Sequence, residues 1–248
     1  MDIRVPLNNT LRSGSENYMT NLNSFVAFNE AHDPKNLIQK YFIPIIKDKI
    51  ILDIGCGYGK YIPLFAPYCK KYVGIDISGE EVKIARKNKF DNVRIYHCSA
   101  DKMPFKDLSF DIVLSIYGAI SVVKPLTKKA KILKEVQRVL KHKGYFYLVT
   151  DAFTGEWVKM KSRTKSRWGF NWLLDNGFEI ETKIKTCFEF KSKEEAKSVL
   201  HSLFGRKLSV FVKKKMIKQH VVVLSINKWV DNPKIIYKNF KITPTLRK

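Results

Sequence analysis

Apolar and polar positions along this 248-residue chain follow two rhythms. Short runs rich in β-branched residues, Ile50–Ile54, Tyr72–Ile77, Val93–Cys98, Phe110–Ile116 and Tyr145–Thr150, read as buried strands. Between them, apolar residues recur every three or four positions, the spacing of a helix with one buried face. Strands alternating with helices specify βαβ units and a parallel sheet.

Three of the helices can be placed by their caps. Asp33 followed by Pro34 reads as N-cap and first helical residue, opening the stripe Leu37, Ile38, Tyr41, Phe42 and Ile45. Ser78 and Glu81 form a capping box after the second strand. Ile132, Leu133, Val136, Val139 and Leu140 form a third stripe, with Lys128, Lys129, Lys131, Lys134 and Lys141 assigned to the wet side and Gly144 to the stop.

After Thr150 a basic stretch, Lys159 to Arg167, leads into a helix through Trp172, Leu173 and Leu174 that ends at Gly177. A long strand (Phe178–Phe190), a helix (Ser192–Gly205, with Ser192 and Glu195 as another capping box) and a last strand (Gln219–Asn227) follow. These pieces extend the same sheet, so no boundary is drawn at 150. The expected organisation is a lid or flexible segment at 1–32, one domain at 33–230 with substrate-side elements at 151–215, and a tail at 231–248 holding two prolines.

Composition narrows the class. An apolar fraction of 45% and an aromatic fraction of 12% belong to a globular chain, not a fibrous or disordered one. The longest apolar runs fall far short of the ~20 residues that cross a bilayer, and the first residues lack a signal peptide's apolar segment, so a cytoplasmic protein is expected. Cys56, Cys69, Cys98 and Cys187 are too scattered for a zinc knuckle or a redox pair and read as reduced thiols, with no metal site expected. The unusual number is charge: 46 basic against 23 acidic residues, a net +23. Such a field attracts phosphates and carboxylates. Lys outnumbers Arg, however, whereas nucleic-acid surfaces favour the bidentate Arg, and an AT-rich coding bias produces the same excess.

The chemistry concentrates at Ile51-Leu-Asp-Ile-Gly-Cys-Gly-Tyr-Gly59, a buried strand running into a glycine turn. Glycines let the backbone N–H groups approach a ligand closely. With Lys at position 60 the spacing is Gly-x-Gly-x-Gly, not the Gly-x-Gly-x-x-Gly that cradles a dinucleotide. Alone, the turn is also a tight strand-to-helix corner. It is not alone: Asp76 ends the second strand, where an acid can accept both hydroxyls of a ribose, and Asp101 follows the third, where an acid can accept from an adenine amino group while Met103 packs on the ring. Acids at the carboxyl ends of consecutive strands mark the crevice where open α/β sheets bind ligands.

These motifs resemble the class I S-adenosylmethionine-dependent methyltransferases, most closely the broad "type 11" group that includes ubiquinone-biosynthesis-like enzymes. The resemblance covers roughly residues 34–150 with strong motifs and 168–228 more loosely. It implies a Rossmann-like, seven-stranded, mostly parallel sheet with helices on both faces, an antiparallel last strand and a helical N-terminal lid. It further implies a cofactor site in which Asp53, Gly55, Gly57 and Gly59 wrap the methionine end, Asp76 holds the ribose, Ala100, Asp101 and Met103 recognise adenine, and Ile77 also touches the cofactor. Ile116 and Tyr117, ending the fourth strand, would lie beneath the reactive methyl.

Methyl transfer from a sulfonium needs chiefly alignment and exclusion of water, with a base only where the nucleophile must first lose a proton. Candidates to touch the reacting groups are Tyr117 and His32; Tyr18, Phe28, Tyr117, Arg163, Arg167 and Trp168 are the substrate-side candidates. No Asn/Asp-Pro-Pro-Tyr follows the fourth strand and no Pro-Cys dipeptide exists, so exocyclic-amine and cytosine C5 methylation are unsupported. The expected acceptor is an oxygen, nitrogen or carbon of a small or medium metabolite. An RNA methyltransferase or RNA-binding protein using the basic surface is the alternative.

Overall fold

A computed structural model describes residues 21–118, 120, 123, 126–160 and 167–227. The seven predicted strands are all present: β1 (Ile50–Ile54), β2 (Lys71–Asp76), β3 (Val93–His97), β4 (Phe110–Ile116), β5 (Leu140–Gly155), β6 (Glu179–Glu189) and β7 (Met216–Ile226). They form one sheet in the order β3-β2-β1-β4-β5-β7-β6. Pairings from β3 through β5 are parallel, and β7 runs antiparallel to both β5 and β6. The order reverses between β1 and β4, so the loops leaving β1, β2 and β4 diverge and open a crevice at the carboxyl edge.

Nine helices are described: α1 (Leu22–Ala31), α2 (Leu37–Ile46), α3 (Ile62–Phe65), α4 (Gly79–Ala85), α5 (Leu126–Val139), α6 (Glu156–Met160), α7 (Arg167–Asp175), α8 (Lys193–Phe204) and α9 (Arg206–Ser209). Period-two side chains send each central strand into two cores. In β5, Phe146 and Leu148 join the α5 and α7 side with Leu133, Val136 and Trp172. Tyr147 and Val149 join the α2, α3 and α4 side with Phe42, Phe65 and Val82. A third cluster ties α1, α6 and α8 to the end of β6 through Ala31, Trp157, Phe188 and Leu200.

Several sequence expectations shift. The helix after Asp33 starts at Leu37, not Pro34, because Asp33, Pro34 and Lys35 form a turn that lets the Asp33 carboxylate accept from the N–H groups of Leu37 (3.1 Å) and Ile38 (2.8 Å). α5 stops at Val139; Leu140 already pairs with Phe110 in the sheet, so Gly144 is a strand residue. A Cβ on Gly144 would stand 2.8 Å from the Asp111 carbonyl oxygen, which is why a glycine is needed within that strand. Lys129 is buried, its ammonium 5.8 Å from the centre of the Trp172 ring, and not on the wet face. Position 129 lies three residues from Leu126 and from Ile132, on the apolar stripe itself, so the helical phase carried that information.

Candidate cofactor and acceptor site

The glycine turn leaves β1 with Gly55, Gly57 and Gly59 at φ of 77°, 56° and 89°, a region that side chains strain to adopt. Its peptides are fixed from the neighbouring strand, since Gly55 and Cys56 both donate their N–H to the Ile75 carbonyl. Asp76 Oδ2 accepts from Gly57 N–H at 2.9 Å and Oδ1 from Ser78 N–H at 2.8 Å. Each oxygen of a carboxylate has two acceptor positions, so Asp76 retains capacity for further donors. Asp53 lies beneath, buried, and takes a 2.5 Å hydrogen bond from the Tyr72 hydroxyl. Burial, opposed by the Tyr72 bond and reinforced by Asp76, lifts its carboxyl to about 7.

On the adenine side, Asp101 is half-buried and accepts from the Ser99 hydroxyl, a bond that holds its pKa low. Ala100 and Met103 are buried under this loop, and Ile77 is exposed beside Asp76. A hub missed at the sequence level organises the loop. Arg138 on α5 donates to the Met103 carbonyl (3.0 Å), the Phe105 carbonyl (2.7 Å), Asp107 (2.8 Å) and both oxygens of Glu135 (2.8 Å each), while Glu135 accepts from Met103 N–H at 2.7 Å.

Toward β5 and β7 the site changes character. Ile116 is buried; Tyr117 follows at φ 54°, unusual for a side chain of its size, and its hydroxyl lies 3.2 Å from His32 Nε2. Gln219 Nε2 donates to that hydroxyl (3.3 Å) and to Asp151 Oδ1 (2.5 Å), while the buried Gln219 Oε1 has no partner among the described residues. Gln219 lies on the apolar phase of β7 between Ile217 and Val221, the signal by which the sequence could have revealed it. His32 is held by a bridge to Phe188, and burial, with the nearby Lys60 charge, lowers its pKa to about 3. Its imidazole is therefore neutral. Lys60 donates to the Asn29 and His32 carbonyls, fastening the corner after α1 onto the glycine turn, and burial lowers its pKa to about 8.

Tyr117 and His32 are thus brought together, but Phe28 is engaged elsewhere, stacked on Phe188 at 4.7 Å and packed on Trp157 and Phe204. α1 is a packed element of the third core, where a free lid had been expected. Tyr18 and Arg163 lie outside the described residues, as do the side chains of Arg167 and Trp168, which open α7. A groove of about 590 Å³ opens between the α1–α2 corner and α4, lined by residues that include His32, Tyr58, Lys60 and Lys87. Among the described residues no cluster of His, Cys, Asp and Glu could hold a metal ion, and no helix is long and apolar enough to cross a membrane.

The arrangement suits S-adenosylmethionine: a glycine cradle, acids for a cationic, hydroxyl-bearing ligand, and an exposed apolar Ile77 for a flat ring. Residues 52–148 match the family described as "Methyltransferase domain". Over 175 residues the chain is 36% identical to an uncharacterized protein of Methanocaldococcus jannaschii, covering 65% of this chain and 63% of that one. It is 37% identical over 100 residues to a demethylmenaquinone methyltransferase of Chlorobaculum parvum (40% of this chain, 39% of that one). It is 29% identical over 132 residues to a tRNA (carboxymethyluridine(34)-5-O)-methyltransferase of Xenopus tropicalis (53% of this chain, 20% of that one). The chain thus spans less than two thirds of each of these relatives.

Proposed function

We propose, for a chain whose residues 52–148 match a methyltransferase domain, that the protein uses S-adenosylmethionine to methylate an oxygen, nitrogen or carbon of a small or medium metabolite. The observation that carries the reading is Asp76, at the end of β2, bonded to the glycine turn at Gly57, with Asp53 buried at the end of β1 and Asp101 in the loop after β3. When bound, S-adenosylmethionine supplies a methyl already activated by the sulfonium charge. Asp53 and the turn would hold its methionine end, Asp76 its ribose, and Asp101 with Ile77 its adenine. At the other end Tyr117, Gln219 and Asp151 would orient the acceptor, and His32 acts by holding the Tyr117 hydroxyl, because an imidazole with a pKa of about 3 takes up no proton near neutrality. Alignment of this kind supplies roughly 7–11 kcal/mol of a barrier without proton transfer.

The direct test is titration calorimetry with S-adenosylmethionine and S-adenosylhomocysteine. Asp76→Ala is expected to weaken binding by about 1–3 kcal/mol, through loss of hydrogen bonds to buried hydroxyls. Wild-type protein that is folded but binds neither compound overturns the reading.

One observation favours RNA as the acceptor instead. Lys183, Lys185 and Lys218 crowd around His220 on β6 and β7 and, after burial, lower its pKa, a positive cluster on the strand that pairs with the end of β5. RNA bound there would be released steeply by salt, with a log–log slope near −0.7 per neutralised phosphate on single strands. Retention of bulk tRNA at physiological salt, reduced by Lys183→Ala with Lys185→Ala, would replace the metabolite reading with this one.

A further inference from the structure

Glu81 stands in the first turn of α4 with only 6% of its surface exposed. A capping box would have used its carboxyl on the Ser78 N–H, but that N–H is already taken by Asp76 Oδ1. Only half the box forms: Ser78 Oγ accepts from Glu81 N–H at 3.4 Å. Freed from the cap, the carboxyl turns toward the glycine turn, and Glu81 Oε2 lies 2.8 Å from where a Cβ on Gly57 would stand. Burial and the Asp76 charge act on this carboxyl, and no hydrogen bond offsets them among the described residues.

Its surroundings make this costly. Asp76 faces it from β2, Cys56 and Tyr58 from the turn, and Asp53 lies behind Cys56 at the end of β1, while the His97 ring of β3 packs against Gly79 at the start of the helix; the charge that acts on Glu81 among the described residues is that of Asp76. Glu80 and Lys83, on its own helix, pair with each other in solvent. Burial, with Asp76 beside it, raises the Glu81 carboxyl to about 7. A buried acid without a donor, beside other carboxyls, destabilises the free protein by an amount that a ligand with donors or positive charge would offset. Violations of this kind concentrate where a fold serves a ligand.

We propose that Glu81 is a further cofactor-binding residue, whose carboxylate joins Asp76 beside Gly57 in accepting the donor groups of S-adenosylmethionine and loses its proton to solvent as the cofactor enters. This rests on the cofactor reading above. It differs from a structural role in its consequences. Glu81→Gln removes the buried charge, so the unliganded variant melts no lower than wild type while binding the cofactor roughly tenfold more weakly, the loss of a charge-assisted hydrogen bond.

The experiment is calorimetry of S-adenosylmethionine binding at pH 7 in phosphate and in Tris, whose different ionisation enthalpies report protons released, on wild type, Glu81→Gln and Glu81→Met, with thermal melts of each alone. Wild type is expected to release more protons than either variant, by up to about half a proton for a group titrating near 7. Wild-type affinity and proton release in both variants overturn the proposal, as does weaker binding accompanied by a lower melting temperature in both. Should wild type itself bind nothing, the cofactor reading falls and the proposal falls with it, an outcome told apart because the variants are then irrelevant.

Discussion

The Tyr117 hydroxyl sits between His32 Nε2 at 3.2 Å and Gln219 Nε2 at 3.3 Å. Gln219 Nε2 donates there, and the tautomer of His32 sets which way the Tyr117–His32 hydrogen bond runs. The contact closes a buried chain from the end of α1 through β4 to β7 and, by Asp151, to β5. Tyr117→Phe removes the shared oxygen and strands two partners. We expect about 1–3 kcal/mol lower stability in urea, with S-adenosylmethionine affinity unchanged and methyl transfer reduced. Cofactor affinity falling as much as turnover would show that the hydroxyl serves the cofactor end instead.

Stability should depend on pH in an unusual direction. Asp53 and Glu81 titrate near 7 in the folded chain, against roughly 4 when unfolded, so on acidification the folded state takes up their protons first and gains stability as pH falls from 7.5 toward 5. His32 opposes this, because its folded pKa of about 3 lies below the unfolded value near 6.5, and its contribution is lost as pH falls through that window. His220, lowered by burial and by Lys185, Lys183 and Lys218, opposes it in the same sense but by less, so the two acids leave a net gain. Below about pH 4 the carboxyls held low, Asp101, Asp111 and Glu135, reverse the slope. The urea midpoint of the ligand-free protein should therefore rise between pH 7.5 and 5, and rise less in Glu81→Gln. A steady fall over that range is incompatible with buried acids of this kind.

Gly118 follows Tyr117 where β4 meets the end of β1. A Cβ there would lie 2.2 Å from the Ile54 carbonyl oxygen and 2.7 Å from Ser115 Oγ. Neither can retreat without parting the two strands whose ends frame the crevice. Gly118→Ala is expected to cost about 1–3 kcal/mol of stability and to weaken cofactor binding too. An unperturbed melting temperature would show that the strand ends are less closely packed than this.

The central fold was legible because β1 and β2 are largely buried runs ending in chemistry: Ile50–Ile54 into the glycine turn, Lys71–Asp76 into its acid. What escaped were residues whose position obeyed the pattern while their chemistry broke it. Lys129 and Gln219 sit on apolar phases of α5 and β7 and are buried there, yet polarity alone assigned Lys129 to solvent. Phe28 was misplaced for the opposite reason: its partners Trp157, Phe188 and Phe204 are distant in sequence, so local composition suggested a lid while long-range packing built a core. Glu81 was hidden by a cap motif that Asp76 pre-empts.

Arg138 offers the sharpest separation of positioning from contact. Its guanidinium spends all three nitrogens on the 103–107 loop and Glu135, and its side chain is largely covered, 27% exposed. Lysine keeps the charge but has no planar fork to meet two carbonyls and two carboxylates at once. In Arg138→Lys the loop should loosen, and with it the mutual placement of Ala100, Asp101 and Met103. The expected result is a several-fold weaker affinity for S-adenosylmethionine and S-adenosylhomocysteine alike, since both carry the adenine, with faster hydrogen exchange across residues 101–108. The Asp53 and Glu81 end is untouched, so proton release on binding should remain that of wild type. Equal affinity with faster exchange would mean that the loop's order is not needed for adenine recognition; a changed proton count would mean that the two ends of the site are coupled through the sheet.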